Sequence, residues 1–322
     1  MTVRNTTVLL FALTLLSAAT LNAQGGGVTL TAAPITWDVA SNVTMSAWAY
    51  NGTVPGPVLR YHQGDTVRVT LVNNLPEATT IHWHGIPVPN GMDGVPGISA
   101  PAVAPGSSFT YEFPAPAPGT YWYHPHADAA WQIARGLYGV LIVDPPVSAS
   151  KAWDDEVLVV IGDSSGGMMT GQGMQFANRG RMSDTGGMGG MGGTGMMGGG
   201  GTSAAAMMAS GLLINGKTGP AIPDVRVKRG DRVLFRFVNT GNMVHPMHVH
   251  GLSWTITATD GFDLPAAARY KKDTLPINAG ERYDAILLAD NPGTWLVHCH
   301  NLMHISESTT GMTGLAFRLI VE

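Results

Sequence analysis

Residues 64–85, GDTVRVTLVNNLPEATTIHWHG, and residues 230–251, GDRVLFRFVNTGNMVHPMHVHG, are two versions of one pattern. Each opens on Gly-Asp and continues with a β-prone run. Asn73 follows Asp65 by 8 residues and His82 by 17; Asn239 and His248 follow Asp231 at the same offsets. Both stretches close on H-x-H-G. The match extends downstream: Gly119-Thr120 lies five residues before His124 in GTYWYHPH, and Gly293-Thr294 lies five before His298 in GTWLVHCH. Landmarks at matched spacing define an internal repeat. Runs rich in Val and Thr between Gly/Pro turns recur along the chain, as in Ser108 to Phe113, Val140 to Val143 and Ala285 to Leu288. Such runs read as strands, and helical periodicity is scarce. The expected fold is all-β, with one sandwich in each repeat. The first spans residues 24–148 and the second 149–322, with the boundary near Pro145-Pro146.

Composition narrows the function. Eleven His, a single Cys and a net charge of −4 stand in a chain of 322 residues. One Cys cannot form an internal disulfide framework. With 18 Lys+Arg against 22 Asp+Glu, a basic nucleic-acid surface is not expected. Residues 1–23 read as a secretory signal: Arg4, an apolar run from Val8 to Leu16, then small residues, with cleavage expected near Ala23. There is no twin-Arg pair, so general export is expected, to the periplasm or beyond. No later stretch is apolar and long enough to span a membrane. Residues 166–210 hold ten of the 17 Met within Gly-rich runs and read as a long loop inserted in the second repeat.

Ten of the 11 His fall in four clusters: IHWHG (His82, His84), YHPH (His124, His126), HPMHVHG (His245, His248, His250) and HCHNLMH (His298, His300, His304). His62, the remaining one, precedes a turn and reads as structural. On a strand, residues i and i+2 share a face, so each H-x-H presents two imidazoles to one place. Imidazole suits several metals, and a thiolate with a thioether favours copper. Aligning the repeats sets Pro125 against Cys299, Thr79 against His245 and Ala130 against His304. A His-Cys-His copper site is therefore complete only in the second repeat.

The four clusters resemble the copper-binding motifs of multicopper oxidases, and the two-repeat layout resembles small bacterial two-domain laccases. The resemblance implies cupredoxin-like Greek-key sandwiches and about four coppers per chain. It implies type 1 copper on His245, Cys299 and His304, with Met312 axial. It places type 2 copper on His82 and His248. The type 3 pair falls to His84, His124, His126, His250, His298 and His300. In the family the axial residue usually lies five after the final His, at Thr309 here. Met312 lies eight after, so an insertion near Ser306–Thr310 is expected. The resemblance also places Asp93 near the cluster as a proton relay, which a turn role before Gly94 would equally explain. The implied reaction draws single electrons from phenolic or aromatic donors, or from Cu(I), and reduces O₂ to water. Soft thioethers in the Met-rich loop, and Met243 beside His245, favour Cu(I) and a part in copper tolerance. Each repeat supplies half of the cluster His, so the cluster forms where a first repeat meets a second; the resemblance to small two-domain laccases implies that this meeting joins neighbouring chains of a homotrimer. Two other readings are a non-enzymatic copper-sequestering protein and a copper nitrite reductase. The complete His-Cys-His run argues against the first, and Pro125 in place of Cys against the second.

Overall fold

The structure, a computed structural model, describes residues 20–22, 27–146, 151–164, 211–308 and 311–322. The Met/Gly-rich segment lies outside the described residues. So does the expected leader, except for Thr20–Asn22, whose backbone pairs in parallel with Val58–Arg60.

The first repeat forms two sheets. One carries Thr20–Asn22, Val58–His62, Gly139–Asp144, Gly119–His124 and His82–His84; the other carries Val43–Tyr50, Val28–Ala40, Thr66–Asn73 and Ser108–Pro114. Alternation along Thr66–Asn73 explains the layering. Val67, Val69 and Leu71 are fully buried while Thr66 and Arg68 face solvent. They pack with Leu59, Trp83, Tyr111, Phe113 and Tyr123. The second repeat builds a like pair of sheets. Asp155–Asp163, Arg232–Asn239, Arg282–Leu288 and Trp254–Thr259 belong to one. Val225–Val227, Ala316–Val321, Gly293–Cys299, His245–Val249 and Thr274–Ile277 form the other. Phe235, Phe237, Trp254 and Cys299 lie in its core.

The repeat landmarks have physical roles. Gly64 and Gly230 adopt φ of 87° and 91°, a conformation that glycine enters without a Cβ clash. The Asp after each accepts a backbone N–H across the turn, from His62 to Asp65 and from Lys228 to Asp231. These turns separate Val58–His62 from Thr66–Asn73 and Val225–Val227 from Arg232–Asn239. Asn73 and Asn239 are fully buried braces. The Asn73 amide donates to the Glu77 and Val103 carbonyls, and the Asn239 amide to those of Met243 and Ile277. Each thereby shapes the loop that leads into its H-x-H strand.

The two repeats share a third apolar cluster, with Met45, Trp122, Tyr138 and Ile142 from the first meeting Val160, Leu213 and Val238 from the second. A chain of charges runs through the same joint. Arg60 pairs with Asp144 at 2.6 Å and Glu156 at 2.9 Å, and Arg236 pairs with Asp284 at 2.8 Å. Thr120 donates to Asp284 at 2.5 Å. Removing one member strands buried charge, so Arg236→Met is expected to cost about 3–5 kcal/mol, read by denaturant unfolding.

Candidate metal centre

The strand register sets the imidazoles in place. His82 pairs directly with His124, and His248 with His298, each across an antiparallel ladder. Because H-x-H residues share a face, His84 and His250 join their groups. Two sets of converging ligand atoms result, His82/His84/His124 and His248/His250/His298, each within 4.8 Å. His126 and His300 complete them at ring separations of 5.5 Å from His82 and from His248. Each set comes from one repeat alone. Each also grades from a buried ring, His124 or His298, to an exposed one, His126 or His300.

Backbone carbonyls fix the tautomers. A carbonyl only accepts, so Nδ1 carries the proton in His82 (Asp93 O, 3.0 Å), His124 (Pro125 O, 2.9 Å), His248 (Asp273 O, 3.0 Å) and His298 (Cys299 O, 3.0 Å). Their Nε2 lone pairs are left for a ligand. Some of these lone pairs face another ring nitrogen: His124 Nε2 lies 3.3 Å from His84 Nδ1, and His298 Nε2 lies 3.2 Å from His250 Nε2. Such close nitrogens need a shared proton or a cation between them. Protonation is disfavoured. Burial lowers His124 to about 3, and burial with the Arg282 charge lowers His84 to about 4. His250 and His298 also move down, chiefly through burial. The neutral rings suit a metal cation. In the metal-free chain, stability from neutral His84 and His124 is complete above pH 6.5 and is lost progressively as pH falls through about 4 and then about 3. An acid titration of the metal-free chain followed by circular dichroism reads this.

The third group is buried. Cys299 Sγ lies 3.4 Å from His304 Nδ1 and 3.9 Å from His245 Nδ1. Burial pushes the thiol up to about 11, so a cation beside it is what yields the thiolate. Alternation along Gly293–Cys299 turns Cys299 into the core, while the rings of His298 and His300 join the other set. In the first repeat the matching inner position holds a Thr79–Gln132 hydrogen bond of 2.7 Å, and Gln132 also donates to the Ala78 carbonyl. Both side chains are buried.

Asp93 lies beside the first His set, with Oδ1 3.1 Å from His82 Nδ1. The expected insertion is a hairpin, Ile305–Ser308 with Gly311–Gly314. Met312 lies on it opposite Glu307, half-buried, and lines a cavity of about 530 Å³ with Ile222, Trp295 and Phe317. Sequence reasoning missed several neighbours. Asp273 and Thr274 hold His248, and Trp122 stacks on His84 and His124 at 4.6 and 4.1 Å. Arg282 crosses from the second repeat, donates to the Thr120 carbonyl and packs against Gly85 beside His84.

Fold and sites together define a copper-binding chain of paired cupredoxin-like sandwiches. Two multicopper oxidase family models match, one over residues 31–148 and a different one over residues 197–314, and the chain belongs to that family. The chain is 33% identical to the multicopper oxidase MmcO of Mycobacterium tuberculosis, over 81% of its own length and 51% of that protein. Identity to a copper resistance protein A homolog of Pseudomonas syringae pv. tomato is 31%, over 75% and 44%. It thus spans about half the length of these curated relatives. The blue copper oxidase of Nitrosomonas europaea superposes with a TM-score of 0.73 at 31% identity, over 92% of this chain and 85% of that one.

Proposed function

We propose that this protein is a laccase-type oxidase that passes single electrons from a donor to O₂. The carrying observation is the run His298-Cys299-His300, whose Cys sits in the buried His245/His304 group while its flanking His belong to the other. His245, Cys299 and His304 would hold a type 1 copper with Met312 as axial ligand. His82 and His248 would hold type 2, and the remaining six cluster His the type 3 pair. When bound, the coppers supply one-electron acceptance at the thiolate site and four-electron reduction of O₂ at the cluster, about four ions per chain in all.

The chain's own residues do the rest. The backbone carbonyls behind His82, His124, His248 and His298 aim each Nε2 outward. Asp93 is placed to hold a proton at Oδ1 beside His82. Asp93→Asn is expected to lower oxygen uptake about 100-fold with copper content unchanged, measured by oxygen electrode and metal analysis.

Each set of four His is built from one repeat and ends on an exposed ring, which supports a cluster closed by another copy in a homotrimer. We divide the chain into a leader at 1–23 and domains at 24–148 and 149–322. Export to the periplasm or medium follows from the leader. Among the described residues no helix is long and apolar enough to cross a membrane.

For the donor, Met243 and Met303 are exposed beside His245 and His304, at 39% and 68%. Thioethers favour Cu(I), which supports a cuprous oxidase acting in copper tolerance, with phenolic or aromatic donors also accepted. Copper-loaded protein is expected to consume O₂ with either donor; no uptake with both overturns the oxidase reading. Deleting 168–208 is expected to slow Cu(I) turnover more than phenol turnover. Equal effects would remove the loop from copper handling.

A further inference from the structure

Asp163 ends the strand Asp155–Asp163 with its side chain 1% exposed. Its Oδ2 accepts the Asn242 backbone N–H at 2.8 Å, whereas Oδ1 has no hydrogen-bond partner. The other acids near the joint between the repeats are neutralised by arginine: Asp144 by Arg60, Glu156 by Arg60 and Arg236, Asp284 by Arg236. Asp163 faces instead Nε2 of His245, at 4.0 Å, in a ring that is 0% exposed. That Nε2 is also without a partner. A buried carboxylate oxygen without a donor is costly, so two orphaned complementary atoms facing each other, Asp163 Oδ1 and His245 Nε2, point to a contact completed when the site is filled. The local backbone is shaped for it. A Cβ on Gly241 would fall 1.0 Å from Oδ1, so the carboxylate occupies space that only glycine leaves open. A cavity of about 10 Å³ adjoins Asp163, lined by Tyr138, Ser164 and Thr240.

We propose that Asp163 is the positioning partner of His245, holding its Nε2–H and lowering the potential of the type 1 copper. The inference rests on the type 1 reading of His245, Cys299 and His304. His245 turns Nδ1 toward Cys299 Sγ. With Nδ1 committed to a metal, the neutral ring carries its proton on Nε2, and Asp163 Oδ1 is the acceptor. The full negative charge behind the ring strengthens it as a donor and favours Cu(II) over Cu(I).

Asp163→Asn keeps the shape and an oxygen for the Asn242 N–H but removes the charge. In copper-loaded protein the blue absorption is expected to persist. A mediated redox titration is expected to show the preference for Cu(II) over Cu(I) reduced about tenfold, equivalent to about 1.4 kcal/mol. An unchanged midpoint with the band intact overturns the proposal and leaves Asp163 as a cap for Asn242 alone. A second measurement needs no variant. Nitrogen NMR of the ¹⁵N-histidine protein loaded with Cu(I), which is diamagnetic, is expected to show His245 protonated at Nε2 with a slowly exchanging, hydrogen-bonded proton. A ring protonated at Nδ1, or a freely exchanging Nε2–H, overturns it. Failure of the copper reading itself is separate, because the unsubstituted protein would then show no blue band at all.

Discussion

Cys299→Ser is expected to abolish the blue absorption of the copper-loaded protein and to cut oxygen consumption by about three orders of magnitude or more. Serine preserves size but offers a hard hydroxyl that does not ionise beside two neutral imidazoles, so the soft one-electron site is lost. The two His sets keep their ligands, because His82, His248 and their neighbours are positioned by strand register and by carbonyls rather than by the thiol. Copper analysis is therefore expected to show a loss confined to one ion in about four per chain. Oxygen uptake within tenfold of the unsubstituted chain would mean that electrons enter the cluster without passing Cys299.

Equally large is the expected effect of splitting the cluster between two chains. His82→Ala with His126→Ala disables the first set, and His248→Ala with His300→Ala disables the second. Each chain alone is expected to be inactive, to well below one per cent of the original oxygen uptake. Co-expressed in equal amounts, the two are expected to recover about a quarter of it, since in a closed ring of randomly mixed copies one contact in four joins an intact first set to an intact second set. A cluster formed within a single chain recovers nothing on mixing. That null result would remove the trimer from the proposed function and leave the oxidase chemistry standing.

The convergence of the His clusters is legible in the sequence because the information is local. H-x-H on a strand fixes two ring directions, and the offsets from Gly64-Asp65 and Gly230-Asp231 carry that geometry from one repeat to the other. The structure also explains the landmark residues, as with Asn73 and Asn239, whose buried amides brace equivalent loops. The supporting shell was not legible, because it comes from segments at no fixed distance in sequence. His82 leans on Asp93, 11 residues on, whereas His248 leans on Asp273, 25 residues on at the bend between Tyr270–Lys272 and Thr274–Ile277. Trp122 meets His84 only through cross-strand pairing, and its repeat partner is Leu296, so the alignment hides it. Asp163 reaches His245 across the sheets of one sandwich, from a strand whose apolar pattern marks it as core.

The Thr79–Gln132 bond has a thermodynamic consequence. It closes the interior of the first repeat with the chain's own atoms, so that interior owes nothing to the supply of metal. The second repeat leaves a thiol and two imidazoles waiting at the equivalent depth. A ligand that binds only the folded form raises stability as RT ln(1 + [L]/Kd). Free copper concentration should therefore set the melting point of one half of the molecule through its interior while leaving the interior of the other indifferent. Calorimetry over a copper titration would then resolve one chain into a constant scaffold and a metal-tuned partner.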